Sequence, residues 1–206
     1  MVAASLGALL AGTAGAVWAN TLTLSAKHLG AASLVPPSFF PTTLTTTNGG
    51  TIVGRAQQSD KLTVVYSDEV LASTICSGAT TTVGTQTLTG ATVTVANNTG
   101  STGNDVLTLT VPTSTCPGGI HFGSVDLGSA SYVTGANVVF SNSTVALTQT
   151  TSSGTLVITL GTASGGTTAT VASGSAQVYT PDPAITDTAG NAIRTNLAKS
   201  SATVAF

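Results

Sequence analysis

The chain reads as an all-β protein, an antiparallel β-sandwich carrying an apolar α-helix at its N-terminus. Three observations predict this. Short alternating apolar and hydroxyl runs recur along most of its 206 residues, Gly, Ser and Asn turn signals separate them, and helical periodicity is confined to Met1–Ala19.

Met1–Ala19 holds no charged residue. Wound as a helix it is two-sided. Ala3, Gly7, Ala11 and Gly15 stand four apart on one stripe, and Ala4, Ala8, Gly12 and Ala16 form a second beside it. Val2, Leu6, Leu10 and Trp18 fall on another row. Small residues at that spacing let helix backbones approach closely. Two readings stand. The run is an export signal, with Val17-Trp18-Ala19 as its cleavage site, or a retained segment that needs burial. No Lys or Arg precedes the apolar core, which favours retention in a filament built of copies of this chain. At about 1.5 Å per residue the run spans ~28 Å, so either reading allows membrane residence before export or assembly.

Residues 20–206 are expected to form one β domain. Thr21–Ser25 alternates strictly and reads as a first strand. Leu29–Gly54 reads as a Pro/Thr-rich loop, because Pro36-Pro37, Pro41 and Asn48-Gly49-Gly50 interrupt any ladder. Phe39 and Phe40 are expected to pin that loop to the domain or to a neighbour. Strands are then predicted at Lys61–Tyr66, Thr92–Val95 and Asp105–Val111. The stretch from Ile120 to Leu127 follows, bent at Gly123. Tyr132–Phe140, Thr144–Gln149 and Thr155–Leu160 continue at hairpin spacing. Thr168–Val171, Ala176–Tyr179 and a closing strand at Ala202–Phe206 complete the series.

Only 6% of residues are charged and the formal net charge is −2, against roughly 25% charged in ordinary soluble proteins. Such a balance gives no electrostatic footprint for nucleic acid. A hydroxyl-rich neutral sheet lacks the charges that commonly guard sheet edges, which predicts assembly, glycosylation or both. The two cysteines, Cys76 and Cys116, read as one disulfide and place the domain outside the cytoplasm. Asn97-Asn98-Thr99 and Asn142-Ser143-Thr144 are sequons in turn-like surroundings, so Asn97 and Asn142 are glycosylation candidates.

"KLTVVYSDEVLAST" (61–74) resembles the early strand of bacterial Ig-like surface-protein domains. "YTPDPAITDTAGNAI" (179–193) resembles their last turn, here Asp187-Thr188-Ala189-Gly190-Asn191. The resemblance spans roughly residues 55–206 and implies an exported Ig-like sandwich, not an enzyme. The N-terminal segment loosely resembles the apolar helix of type IV and archaeal pilins. It departs from them at Met1 and Ser5, and is shorter and richer in glycine.

Chemistry is sparse. His121 reads as a structural side chain and His28 as solvated; no Gly-x-Ser-x-Gly elbow or phosphate-binding loop is present. No catalytic residues and no cofactor are expected. Asp68 and Glu69 at one strand end, with Asp182 and Asp187 near another, are a weak calcium candidate weighed against turn capping. Lys61 or Lys27 with Asn191 and Glu69 could supply an isopeptide bond.

The function these features predict is a structural subunit of an extracellular, cell-surface filament, polymerising through its apolar helix with β domains outside. The alternatives are a monomeric secreted or surface Ig-like adhesin with residues 1–19 as a signal peptide, and a filament joined by strand donation from Thr21–Ser25 or Ala202–Phe206.

Overall fold

A computed structural model describes residues 38–98, 103–195, 198–200, 202 and 204–206, all within one compact unit, Pro37–Phe206. The predicted N-terminal helix and the Thr21–Ser25 strand lie outside the described residues.

Ten strands form one antiparallel sheet: β1 (Pro41–Thr47), β2 (Lys61–Tyr66), β3 (Gly84–Ala96), β4 (Val106–Thr110), β5 (Gly123–Asp126), β6 (Val133–Gln149), β7 (Gly154–Thr159), β8 (Thr162–Thr168), β9 (Val178–Pro181) and β10 (Ala198–Lys199). One short helix, α1 (Ala72–Ile75), follows β2. The hydrogen-bonded order is β1-β2-β7-β6-β3-β4-β5-β9-β10, with β8 attached to β6. The two ends of this series meet: Phe39, just before β1, forms a parallel bridge with Ile193, and the Arg194 N–H donates to the Phe39 carbonyl at 2.7 Å. The sheet therefore curls into a nearly closed, sandwich-like barrel around one core.

Alternation builds that core. Leu62, Val64 and Tyr66 of β2, and Leu156 and Ile158 of β7, are buried, while their intervening neighbours are not. Tyr66, Tyr132, Tyr179, Phe39, Phe122 and Phe140 are the largest fully buried side chains. Phe39 packs on Tyr66 with ring centroids 5.8 Å apart, and Phe122 on Tyr179 at 5.1 Å. The Tyr66 and Tyr179 hydroxyls share a hydrogen bond of 3.1 Å, and the Tyr179 hydroxyl donates to the Phe122 carbonyl at 2.7 Å.

Several elements differ from the sequence expectation. The segment expected as an irregular loop contains β1, because Pro41 stands at the strand's first position, where no ladder N–H is needed, and Leu44 faces the core. Tyr132–Phe140 and Thr144–Gln149 are one strand, β6, kinked at Asn142 (φ 56°) where the register with β3 shifts. Thr92–Val95 is the inner end of the much longer β3. The strand expected at Thr168–Val171 lies earlier, as β8. The closing strand is Ala198–Lys199, not Ala202–Phe206. Ala205 and Phe206 are nonetheless buried: the Ala205 N–H donates to the Tyr132 hydroxyl at 2.5 Å, and the Phe206 carbonyl accepts from Gly54 at 2.9 Å. The bend expected at Gly123 is present, with φ +93°, and a Cβ there would strike the Thr180 carbonyl at 2.1 Å.

Candidate functional site

Cys76 and Cys116 are disulfide-paired, with Cα atoms 5.2 Å apart across 40 residues of sequence. Cys76 caps α1, its N–H donating to the Ala72 carbonyl, and Cys116 lies in a turn closed on Pro112. The His121 N–H donates to the Ile75 carbonyl at 2.8 Å, so the crosslink fastens α1 to the β4–β5 connection. Closing a loop of this length stabilises a fold by about 4 kcal/mol in the chain-entropy model.

Of the four carboxylates named for calcium, those of Asp68, Asp182 and Asp187 hold partners within the fold. Asp187 Oδ1 accepts the Asn191 N–H and Oδ2 accepts Asn191 Nδ2, each at 2.7 Å, while Gly190 takes φ +83°. This is the turn that Asp187–Asn191 predicts. Asp68 Oδ1 accepts the Glu69 N–H at 2.7 Å. The Glu69 carbonyl accepts from Thr188, so these two turns are neighbours. Asp182 pairs instead with His121, Nδ1 to Oδ2 at 3.0 Å. Among the described residues no three His, Cys, Asp or Glu side chains gather to hold a metal ion. Lys61 stands at the far end of β2 from Glu69, roughly 16 Å of strand away, and Asn191 is occupied by Asp187. Lys27 lies outside the described residues.

The His121–Asp182 pair is the one ion pair among the described residues, and it is largely solvent-facing. Partial burial works against ionising Asp182, but the Ala184 N–H and His121 outweigh it and hold the carboxyl below its ordinary range.

The two sequons differ. Asn142 is exposed on the kink of β6, while the neighbouring Ser143 is buried, its hydroxyl donating to the Phe140 carbonyl and accepting from Gly161. Asn97 is half-buried, and its Nδ2 and Oδ1 have no hydrogen-bond partner among the described residues. Thr99 lies outside them. Geometry thus presents Asn142 more openly than Asn97. The small-residue stripes of Ala3 to Ala16 also lie outside the described residues.

Two acidic residues that sequence reading passed over are fully buried. Asp60 Oδ1 accepts the N–H groups of Gly49 and Gly50 at 2.8 and 2.9 Å, and Oδ2 accepts that of Gln57 at 2.6 Å. Asp105 takes the N–H groups of Asn98 and Val133, both at 3.0 Å, joining the ends of β3, β4 and β6. Both replace lost water with backbone donors. An Asp between a glycine-rich turn and a strand, in a chain this poor in charge, was the available signal.

The most unusual surface is β8, Thr-Ala-Ser-Gly-Gly-Thr-Thr. None of its side chains is buried. From Ala163 to Thr167 it is hydrogen-bonded only to β6, and its other edge is open among the described residues. No charge or proline guards that stretch. At its far end Arg55 Nε donates to Thr168 Oγ1 at 2.8 Å, and the Gly54 carbonyl accepts from Val171. The adjoining Ile52 and Val53 are two of the three large apolar side chains exposed among the described residues, Val53 at 70%. The third is Val83.

Compared with known proteins, the chain matches no family model, no curated sequence and no solved structure.

Proposed function

We propose that this protein is a structural subunit of an extracellular filament, assembled through its N-terminal segment with its β unit displayed outside. The observation that carries this reading is the scarcity of charge on the folded surface. The chain has seven acidic residues, and three of them, Asp60, Asp105 and Asp187, are withdrawn into the interior. What remains outside is mostly hydroxyl, amide and glycine. Such surfaces meet without like-charge repulsion and resist self-association poorly.

The Cys76–Cys116 pair supports an oxidising compartment. An antiparallel β unit whose first and last segments meet in a parallel bridge supports an Ig-like sandwich. The Ala/Gly stripes of residues 3–16 supply a surface for close helix packing, and burying apolar area contributes roughly 25 cal/mol per Å². A second reading, a monomeric Ig-like adhesin exported by residues 1–19, draws support from the self-contained, disulfide-closed unit Pro37–Phe206.

Electron microscopy of the purified full chain, with its intact mass, tests the choice. The filament reading predicts polymers of chains that keep the N-terminal segment. It also predicts that Gly7→Leu or Gly12→Leu abolishes polymers while leaving circular dichroism of the β unit unchanged. Discrete monomers that begin at Asn20 would establish the adhesin instead.

A further inference from the structure

We propose that Asn48 is a self-modification site. In the folded protein its side-chain amide condenses with the Gly49 backbone nitrogen, assisted by Asp60, and ends as aspartate or isoaspartate. The reaction needs only one copy of the chain and stands apart from the filament reading.

Asn48-Gly49 is the chain's one Asn-Gly pair. It lies just past the end of β1, with Gly49 exposed and Asn48 and Gly50 half-buried, so water reaches it. Ring closure at such a pair has four requirements. The side-chain carbonyl must fold back over the next peptide unit, and the attacking nitrogen must be unhindered. The nitrogen's proton needs an acceptor, and the carbonyl oxygen needs a donor.

The loop supplies each of them. The Gly50 N–H donates to Asn48 Oδ1 at 2.8 Å. That bond closes a ring containing both Asn48 Cγ and the Gly49 nitrogen, and it polarises the carbonyl to be attacked. Gly49 carries no side chain, and none fits, because a Cβ there would strike the Ser59 carbonyl. The Gly49 N–H points at Asp60 Oδ1, 2.8 Å away and within the reach of a general base. Asp60 is fully buried, and no basic side chain among the described residues pairs with it. Two further N–H groups hold it in place, from Gly50 to Oδ1 at 2.9 Å and from Gln57 to Oδ2 at 2.6 Å. An amide hydrogen lies in the peptide plane, whereas the nitrogen attacks perpendicular to that plane. The bond to Asp60 therefore leaves the approach to Asn48 Cγ open.

The step balances within the loop. The Gly49 nitrogen gives its proton to Asp60 and bonds to Asn48 Cγ, while the Gly50 N–H holds the negative oxygen. Asp60 returns the proton to Nδ2, the Cγ–Nδ2 bond breaks, and ammonia leaves behind a five-membered imide. Water then opens the imide at either carbonyl. One opening gives aspartate; the other reroutes the backbone through Cγ and gives isoaspartate. Either product adds one negative charge to a chain of formal net charge −2 and sets it against the buried Asp60 carboxylate. The Ser59 N–H ties this loop to the Leu160 carbonyl at 2.9 Å, so conversion loosens the junction after β7.

The test incubates the full chain near neutral pH, either folded or unfolded in urea. Mass spectrometry follows the peptide holding Asn48, and chromatography resolves isoaspartate. Conversion should run about tenfold faster or more in the folded protein than in urea, with the imide, lighter by one ammonia, preceding the acid. Asp60→Asn keeps a carbonyl acceptor but cannot take the proton, and should erase that advantage while circular dichroism shows the variant folded. Should the variant fail to fold, the comparison of folded and unfolded wild type still decides. Conversion no faster in the folded protein than in urea overturns self-modification, the same hydrogen bonds then guarding the pair. A folded Asp60→Asn that converts as fast as the wild type overturns Asp60 as the base.

Discussion

β7 and β8 are consecutive strands on the same partner, and they meet opposite fates. Along β7, Gly154, Leu156 and Ile158 are buried in strict alternation; along β8 no residue is buried. Both are laddered to β6 in the same orientation. Backbone pairing is therefore not what distinguishes them. β7 is held by its side chains, with β2 on its other edge, whereas β8 is laddered on one side only among the described residues. A ladder without core contact contributes little net stability, because water satisfies the same groups in the unfolded chain. What β8 provides is an edge.

The junction between the two strands is where the core ends. Ser59 donates to the Leu160 carbonyl and Leu160 donates to that of Asp60, each at 2.9 Å, so the loop organised by the buried Asp60 grips the chain between β7 and β8. Substitutions on either side of this grip should behave differently. Leu156→Ala should cost the most, about 3 kcal/mol, from lost transfer energy and the cavity left. Urea denaturation measures it. Asp60→Ala should cost about 2 kcal/mol by stranding the Gly49, Gly50 and Gln57 donors. It should also loosen β8, read as faster amide exchange at Ala163–Thr167 than in the wild type.

Alkaline unfolding is the next probe. Burial pushes the Tyr66 hydroxyl up to about 12, partly offset by its hydrogen bond with Tyr179, and burial pushes Tyr179 upward as well. A pKa raised on folding means the unfolded state releases its proton first. The stability these groups provide is complete below pH 10 and is lost as pH climbs towards 12. Tyr66→Phe should make the decline between pH 10 and 12 shallower, checked by denaturation midpoints across that range. β8, which carries no titrating side chain, contributes nothing to this slope. Smallest of all, Ser164→Lys should change the stability of the dispersed protein by no more than about 0.5 kcal/mol.

The same contrast explains which parts of the fold were legible in sequence. Lys61–Tyr66 and Thr155–Leu160 were readable because burial on one face imposes alternation on the residues themselves. β8 was not, since a strand with no buried face leaves no apolar period to find. β1 was hidden by Pro41 at its start and by threonines that leave Leu44 as its one large inward side chain. Ala202–Phe206 looked like a strand because Ala205 and Phe206 are buried. They are held by the Tyr132 hydroxyl and the Gly54 N–H in place of a ladder, a difference that composition cannot express.

Among the site residues, the Asp187–Asn191 turn was legible because its chemistry is local. Cys76 and Cys116 were paired by arithmetic alone. The roles of Asp60 and Asp105 depend on donors brought from distant or irregular segments, and so does the division of Asp182 from Asp68. Nothing in their immediate neighbours encodes these pairings.

Hydrogen–deuterium exchange compares β7 and β8 most directly. Amides of Ala163–Thr167, on a strand that buries no side chain, should exchange quickly, while those of Leu156–Thr159 stay slow. Equally slow exchange along both strands would contradict the claim that core burial, and not the backbone ladder, sets the difference between them.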